Sequence, residues 1–196
     1  MRYDLTRLQE WIKPGSRVLD LGCGDGALLE ALARSRQVQG LGVEMDPDHI
    51  NACLARGISV VEQDINAGLG NFETKSFDTV VMTLAIQALE RPHDALDEML
   101  RIGDEAIVTF PNFGHWRCRW QLGLLGRMPV SRYLPYQWYD TPNIHFCTVR
   151  DFETLCREKG LRILNRAFVG AHREVSAIAQ RWPNLFGVTA IYHIAR

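Results

Sequence analysis

Apolar positions fall along this chain in two alternating patterns. Short continuous runs (Val18-Leu19, Leu41-Gly42-Val43, Val80-Val81-Met82, Ala106-Ile107-Val108) predict buried strands. Between them the apolar residues are three and four apart: Leu28, Ala31 and Leu32; Leu96, Met99 and Leu100; Phe152, Leu155 and Cys156. That spacing predicts amphipathic helices packed on the strands. An N-terminal helix follows Asp4 through Leu5, Leu8, Trp11 and Ile12 to Pro14-Gly15, and is expected to cover the sheet edge or the ligand site. Next come a strand to Leu21, a helix over Ala27 to Arg36 whose basic end (Arg34, Arg36) suits the helix dipole, and a strand over Gly40 to Glu44. Asp46-Pro47 opens a helix that Gly57 stops; Ile58 to Ile65 reads as the third strand and Phe77 to Thr83 as the fourth. Pro92 opens another helix, and Ala106 to Phe110 is the fifth strand. Thr148-Val149-Arg150-Asp151 reads as a variant capping box for a helix ending at Gly160. Leu161 to Val169 and Val188 to Ile194 complete the strands.

One junction carries the chemistry. Val18-Leu19-Asp20-Leu21-Gly22-Cys23-Gly24-Asp25-Gly26 joins a strand to a helix through glycines at alternate positions, and such a turn at a strand's carboxyl end is where doubly wound sheets hold nucleotide-like ligands. The spacing is not the Gly-x-Gly-x-x-Gly of pyrophosphate loops. Asp20 and Asp25 would repel a pyrophosphate and attract a cation. S-adenosyl-L-methionine (SAM), with an ammonium and a sulfonium at its methionine end, fits that field. Glu44 ends the second strand about 20 residues on, where a carboxylate in doubly wound folds accepts ribose hydroxyls.

With 196 residues and 46% hydrophobic content, the chain predicts one domain over 1–196 with a substantial core. A net charge of -1 provides no global attraction to nucleic acid or to an anionic membrane, and neither is expected as a partner. No apolar run approaches a membrane span, and the N-terminus does not read as a signal peptide, so a cytoplasmic protein is expected. The five cysteines are scattered without a Cys-x-x-Cys pair, which indicates neither a disulfide framework nor a zinc site. Cys23 reads as a small packing residue within the turn.

Leu19 to Gly26 resembles the first motif of class I SAM-dependent methyltransferases, and the likeness continues through the next three strands. It implies an α/β, Rossmann-like fold: a seven-stranded, mostly parallel sheet flanked by helices, with the fourth strand central and the last antiparallel. The family pattern assigns SAM, or S-adenosyl-L-homocysteine, to Asp20, Gly22, Cys23, Gly24, Asp25, Gly26, Glu44 and Met45. It adds Asp64 and Ile65 for the adenine, and Thr83 and Leu84 under the sulfonium. After the fourth strand, Leu84 to Leu89 lacks the Asn/Asp-Pro-Pro-Tyr/Phe sequence of amino-methylating nucleic-acid and protein enzymes, and no Pro-Cys of a cytosine C5 methylase occurs. His93, His115, His145 and Gln87 are candidate bases or substrate ligands.

After strand five, residues 111–148 form an insertion rich in Trp, Tyr and Phe, with Arg117, Arg119, Arg127 and Arg132 inside it and Arg150 just after. Asp140 is the only acid between Glu105 and Asp151. This composition suits a partner surface, a lid over an anionic substrate, or an irregular segment whose aromatics bury themselves against the sheet. Pro111 to Arg117 and Leu134 to His145, taken with the glycine turn, resemble the methionine biosynthesis MetW family. The resemblance implies a SAM-binding accessory partner of the homoserine O-acyltransferase MetX, supporting homoserine acylation. A methyltransferase acting on a small molecule is the alternative, motivated by the intact cofactor motifs.

Overall fold

The computed structural model describes residues 8–131, 134–170 and 177–196. The expectations for Asp4, Leu5, Arg132 and Tyr133 lie outside them. Seven strands form one sheet: β1 (Arg17–Leu21), β2 (Gln39–Glu44), β3 (Ser59–Glu62), β4 (Phe77–Thr83), β5 (Gly103–Pro111), β6 (Arg162–Val169) and β7 (Thr189–Ala195). Their order is β3-β2-β1-β4-β5-β7-β6. Strands β3, β2, β1, β4 and β5 are mutually parallel, and β7 runs antiparallel to both its neighbours. As expected, β4 is central. The order reverses at β1, which pairs with β2 on one side and β4 on the other, and a crevice opens at such a switch point.

The sheet is accompanied by helices α1 (Ala27–Arg36), α2 (Pro47–Ala55), α3 (Pro92–Ile102), α4 (Trp116–Gly123), α5 (Val149–Glu158), α6 (Ala177–Arg181) and α7 (Pro183–Phe186). Successive residues of a strand face opposite ways, so each central strand feeds two cores. Leu19, Val80, Val108 and Tyr192 join Leu96, Met99 and Phe152 on one face. Val18, Val81, Ile107 and Ile191 join Leu28, Leu29 and Leu32 on the other. Being buried on both faces explains why these strands read as continuous apolar runs.

Local signals act as expected at three helix starts and ends. Asp46 caps α2 by accepting the Asp48 amide, with Pro47 in the first turn. The Thr148/Asp151 capping box opens α5, and Gly160 takes a φ of 66° just beyond its end. Arg34 pairs with Glu30 at 2.6 Å, while Arg36 donates to the Ile12 carbonyl.

Four departures have local causes. Strand β3 stops at Glu62, short of Ile65, because the Asp64 carboxylate accepts the Asn66 amide and opens a 3-10 turn over Ile65–Ala67. Leu8 and Ile12 are fully buried within the second core, so the described part of the N-terminal segment covers a sheet face and not the edge. The insertion contains a helix, α4, capped by His115, whose Nδ1 accepts the Arg117 amide. Between β6 and β7 the described residues form α6 and α7, which apolar periodicity did not reveal.

Candidate functional site

The glycine turn leaves β1 with its first two amides fastened to β2: Gly22 and Cys23 both donate to the Val43 carbonyl, at 2.8 and 3.1 Å. Gly22, Gly24 and Gly26 all adopt the left-handed region, with φ of 71°, 55° and 74°. A side chain at any of them would be strained. The space differs as well. A Cβ on Gly26 would lie 2.9 Å from Cys53 Sγ and one on Gly22 3.3 Å from Ala85 Cβ, whereas the position on Gly24 is open. Bare backbone therefore faces free space at Gly24.

Asp20 sits beneath this turn between β2 and β4, paired in register with Gly42 and Val81. It is fully buried, and neither carboxylate oxygen has a partner. Burial, and secondarily the negative charge of Glu44, pushes its carboxyl from 3.8 up to about 7. A buried carboxylate without a donor is costly, and a cationic ligand group would remove that cost.

Glu44 lies at the rim and reaches back to the turn. Its Oε2 accepts the Gly24 amide at 2.8 Å, and its Oε1 accepts the Met45 and Asp46 amides at 2.9 and 3.1 Å. An ionised carboxylate offers about four acceptor sites, so an acceptor position is left on Oε2 only. Met45 beside it is exposed.

Of the two turn carboxylates expected to attract a cation, Asp25 takes one from the chain itself. Its Oδ1 accepts the Ala27 amide at the start of α1, and its Oδ2 pairs with the Arg56 guanidinium at 2.7 Å. Its charge is thus already balanced, and Asp20 is the carboxylate of the turn without a cation. Cys23 behaves as the packing residue expected of it. Its Sγ lies 3.8 Å from that of Cys53, and burial, reinforced by the Asp20 charge, pushes its thiol above the ordinary range.

On the opposite wall, β4 ends at Thr83, and Leu84 takes a φ of 55° without being glycine. Its amide donates to both the carbonyl and Oγ1 of Thr109 at 3.0 Å, and its carbonyl accepts Gln87 Nε2 at 2.7 Å, bonds that hold the strained turn. Asp64 is exposed at the end of β3, with one oxygen committed to Asn66, and half-buried Ile65 packs against the first core. Sequence reasoning did not find Ala85 or Thr109 as parts of this wall. Small size and a strand-interior hydroxyl leave no motif to find.

The insertion is tied to the same wall. The Gln87 carbonyl accepts the amides of Ile144 and His145 at 3.0 Å each, and the His145 ring contacts the Glu90 carbonyl. Its aromatics do not bury themselves as the third expectation had it: Trp120, Tyr136, Trp138, Tyr139 and Phe146 are exposed. The candidate bases are otherwise engaged. His115 is a buried cap, whose pKa burial, and secondarily the Arg117 charge, push below the ordinary histidine value; His93 lies beside Asp94 on the surface; Gln87 braces Leu84. Among the described residues no His, Cys, Asp and Glu cluster could hold a metal, and no helix is long and apolar enough to cross a membrane.

The strand order and the glycine crevice define the class I SAM-dependent methyltransferase fold. A SAM-dependent methyltransferase from Archaeoglobus fulgidus has it, with a TM-score of 0.71 at 19% identity over 100% of this chain and 92% of that one. One from Mesorhizobium loti gives 0.68 at 19% identity, over 99% and 98%. Over residues 2–194 the chain matches the family described as methionine biosynthesis protein MetW, and it belongs to that family. A bifunctional methionine biosynthesis protein MetXA/MetW of Rhodopirellula baltica is 34% identical over 97% of this chain. A ubiquinone biosynthesis O-methyltransferase of Nitrosococcus oceani is 26% identical over 77%. The chain spans 32% of the first relative's length and 65% of the second's.

Proposed function

We propose that this protein binds SAM, or S-adenosyl-L-homocysteine, at the glycine turn and serves as an accessory partner of the homoserine O-acyltransferase MetX in methionine biosynthesis. The observation that carries the partnership is the R. baltica relative, whose name joins MetXA and MetW in one polypeptide. Two modules in one chain meet at high effective concentration.

The ligand reading rests on Asp20. Its orphaned carboxylate lies below a turn whose Gly24 leaves room for a ligand against the backbone, so an ammonium is the group this position lacks. Gly22, Cys23 and Gly26 shape the turn, and the open acceptor site on Glu44 Oε2 would take one ribose hydroxyl. Met45, Asp64 and Ile65 would border the adenine, with Thr83 and Leu84 beneath the sulfonium. Asp25 would act indirectly, by fixing the start of α1. The bound group would supply an activated methyl sulfonium, which the alternative reading, methyl transfer to a small molecule, would use. That His115 caps α4 and Gln87 braces Leu84 favours the accessory reading.

A sensing role has a route. Gly22 faces Ala85 on the β4 wall, and the Gln87 carbonyl of that wall holds Ile144 and His145 of the insertion. Ordering the turn around a ligand would bias the wall and hence the insertion, and coupling of this kind is reciprocal. The test mixes the purified chain with MetX. Co-elution and altered acyl transfer are expected, with SAM affinity shifted by the acyltransferase. Separate elution with unchanged activity would refute the partnership, and turnover of labelled SAM with cell metabolites would favour the methyltransferase reading.

A further inference from the structure

The insertion turns its apolar side outward. Along α4 and its C-terminal cap the residues Trp116, Trp120 and Leu124 are spaced four apart and form one stripe, 42%, 55% and 67% exposed, while Cys118 is the buried residue of that helix. Beyond α4 the chain forms two open grooves that share Met128, Gln137 and Trp138 as a wall. One, of about 270 Å³, is lined by Phe113, Tyr136 and Phe146; the other, of about 740 Å³, by Gln121, Leu125 and Arg127. Trp138 itself is 73% exposed. An apolar surface of this kind marks an interaction site, and Trp, Tyr and Arg are the residues that dominate binding energy at interfaces.

Its charge identifies the kind of occupant. Arg117, which stacks over Trp116 at 5.3 Å, Arg119 and Arg127 are all exposed, and Asp140 is the only acid in this part of the sequence. A second copy of this chain docking through a two-fold axis would place the same patch against itself, bringing like cations together. The patch instead complements a surface with apolar side chains ringed by carboxylates. Its attachment to the Gln87 carbonyl makes it continuous with the ligand site.

We propose that this face, formed by α4 and the grooves on either side of Trp138, is the docking surface for the acyltransferase. The inference rests on the partnership proposed above and assigns it a place on the molecule. A cluster of aromatic anchors among cations predicts that a few residues dominate affinity, with an electrostatic contribution that salt weakens.

The test titrates the full chain and its variants against separately purified MetX-type acyltransferase by calorimetry. Trp138→Ala and Arg127→Glu are each expected to raise Kd about tenfold or more, on the scale of interface hot spots, with SAM affinity and Tm as in the wild type. Arg34→Gln, on α1, should leave Kd unchanged. If the wild type binds and both variants bind equally well, the surface is wrong and the partnership stands. If the wild type does not bind, both fall. A wild-type dimer in sedimentation that Trp138→Ala dissociates, without loss of acyltransferase affinity, would assign the face to a second copy and overturn the proposal.

Discussion

The Gly24 amide donates to Oε2 of Glu44 at 2.8 Å, so the end of β2 holds the midpoint of the glycine turn through one carboxylate. The same carboxylate also accepts the Met45 and Asp46 amides. Glu44→Ala would deprive all three of their acceptor while removing the proposed ribose contact. The expected result is a SAM affinity lower by roughly 1 to 3 kcal/mol, the scale of a charge-assisted hydrogen bond, together with a lower Tm of the ligand-free protein. Calorimetry and thermal melts measure the two effects separately. Wild-type SAM affinity in the variant would place the ribose elsewhere.

Asp20 predicts a pH dependence. An ammonium favours the ionised carboxylate, which with a pKa of about 7 is scarce at pH 6 and predominant by pH 7.5. SAM affinity should therefore rise by about five- to tenfold across that interval, with uptake of ligand releasing a proton. Titrations in buffers of different ionisation enthalpy would reveal that proton. A flat affinity profile would mean that Asp20 does not meet the cation.

Folding should show the opposite trend in the same protein without ligand. Because the folded state raises the Asp20 pKa from 3.8 to about 7, the native protein keeps a proton that the unfolded chain releases between those values. Stability is thus highest below the unfolded value, declines as pH rises from about 4 to 7, and is constant beyond, for a total of about 4 kcal/mol. Asp20→Asn removes the charge. Its Tm should match the wild type below about pH 4 and exceed it by about 8 to 16 °C at pH 8, given roughly 2 to 4 °C per kcal/mol at this chain length. SAM affinity should fall in the same variant, a gain in stability at a functional cost.

Gly42 of β2 faces Cys23, and a Cβ there would lie 2.5 Å from the Cys23 sulfur. Gly42→Ala should push Cys23, and the turn with it, out of position, at a cost of about 1 to 3 kcal/mol for overpacking, and weaken SAM binding. Adding Cys23→Ala removes the clashing atom, so the double variant should recover much of both losses. A double-mutant cycle with no coupling between the two changes would show that the strand and the turn do not meet there.

The sequence disclosed those parts of the fold that depend on local chemistry. Val18-Leu19 and Val80-Val81-Met82 are continuous apolar runs because both sheet faces are covered, and Asp46-Pro47 and Thr148 to Asp151 cap their helices with their own side chains. Partnerships between distant residues were hidden. Nothing near Asp25 announces that Arg56 balances its charge, and nothing near Glu44 announces that its oxygens fasten the turn. The exposure of Trp138 could not be read either, because an aromatic residue has the same letter whether it faces core or solvent.

Asn112 is another such hidden partnership, and it predicts how the insertion is anchored. Its residue is buried just past β5, and its amide group joins three parts of the chain. Nδ2 donates to the Gly187 carbonyl at 2.8 Å and to that of Pro183 at 3.2 Å. Oδ1 accepts the amides of Gly114 at 2.9 Å and Val149 at 3.3 Å. These bonds fix where the chain leaves the sheet for α4, where α5 begins and where α7 ends. Asn112→Ala would leave buried donors and acceptors unpaired, each costing about 1 to 3 kcal/mol, so a Tm lower by several degrees is expected. Asn112→Asp keeps the acceptor but puts a carboxylate oxygen against the Gly187 carbonyl, so it should not rescue. Because α4 and the docking face start from this joint, both variants should lose acyltransferase affinity before they lose SAM affinity. The reverse order in a denaturant titration would mean that the insertion is held by the β4 wall, through Gln87, and not by Asn112.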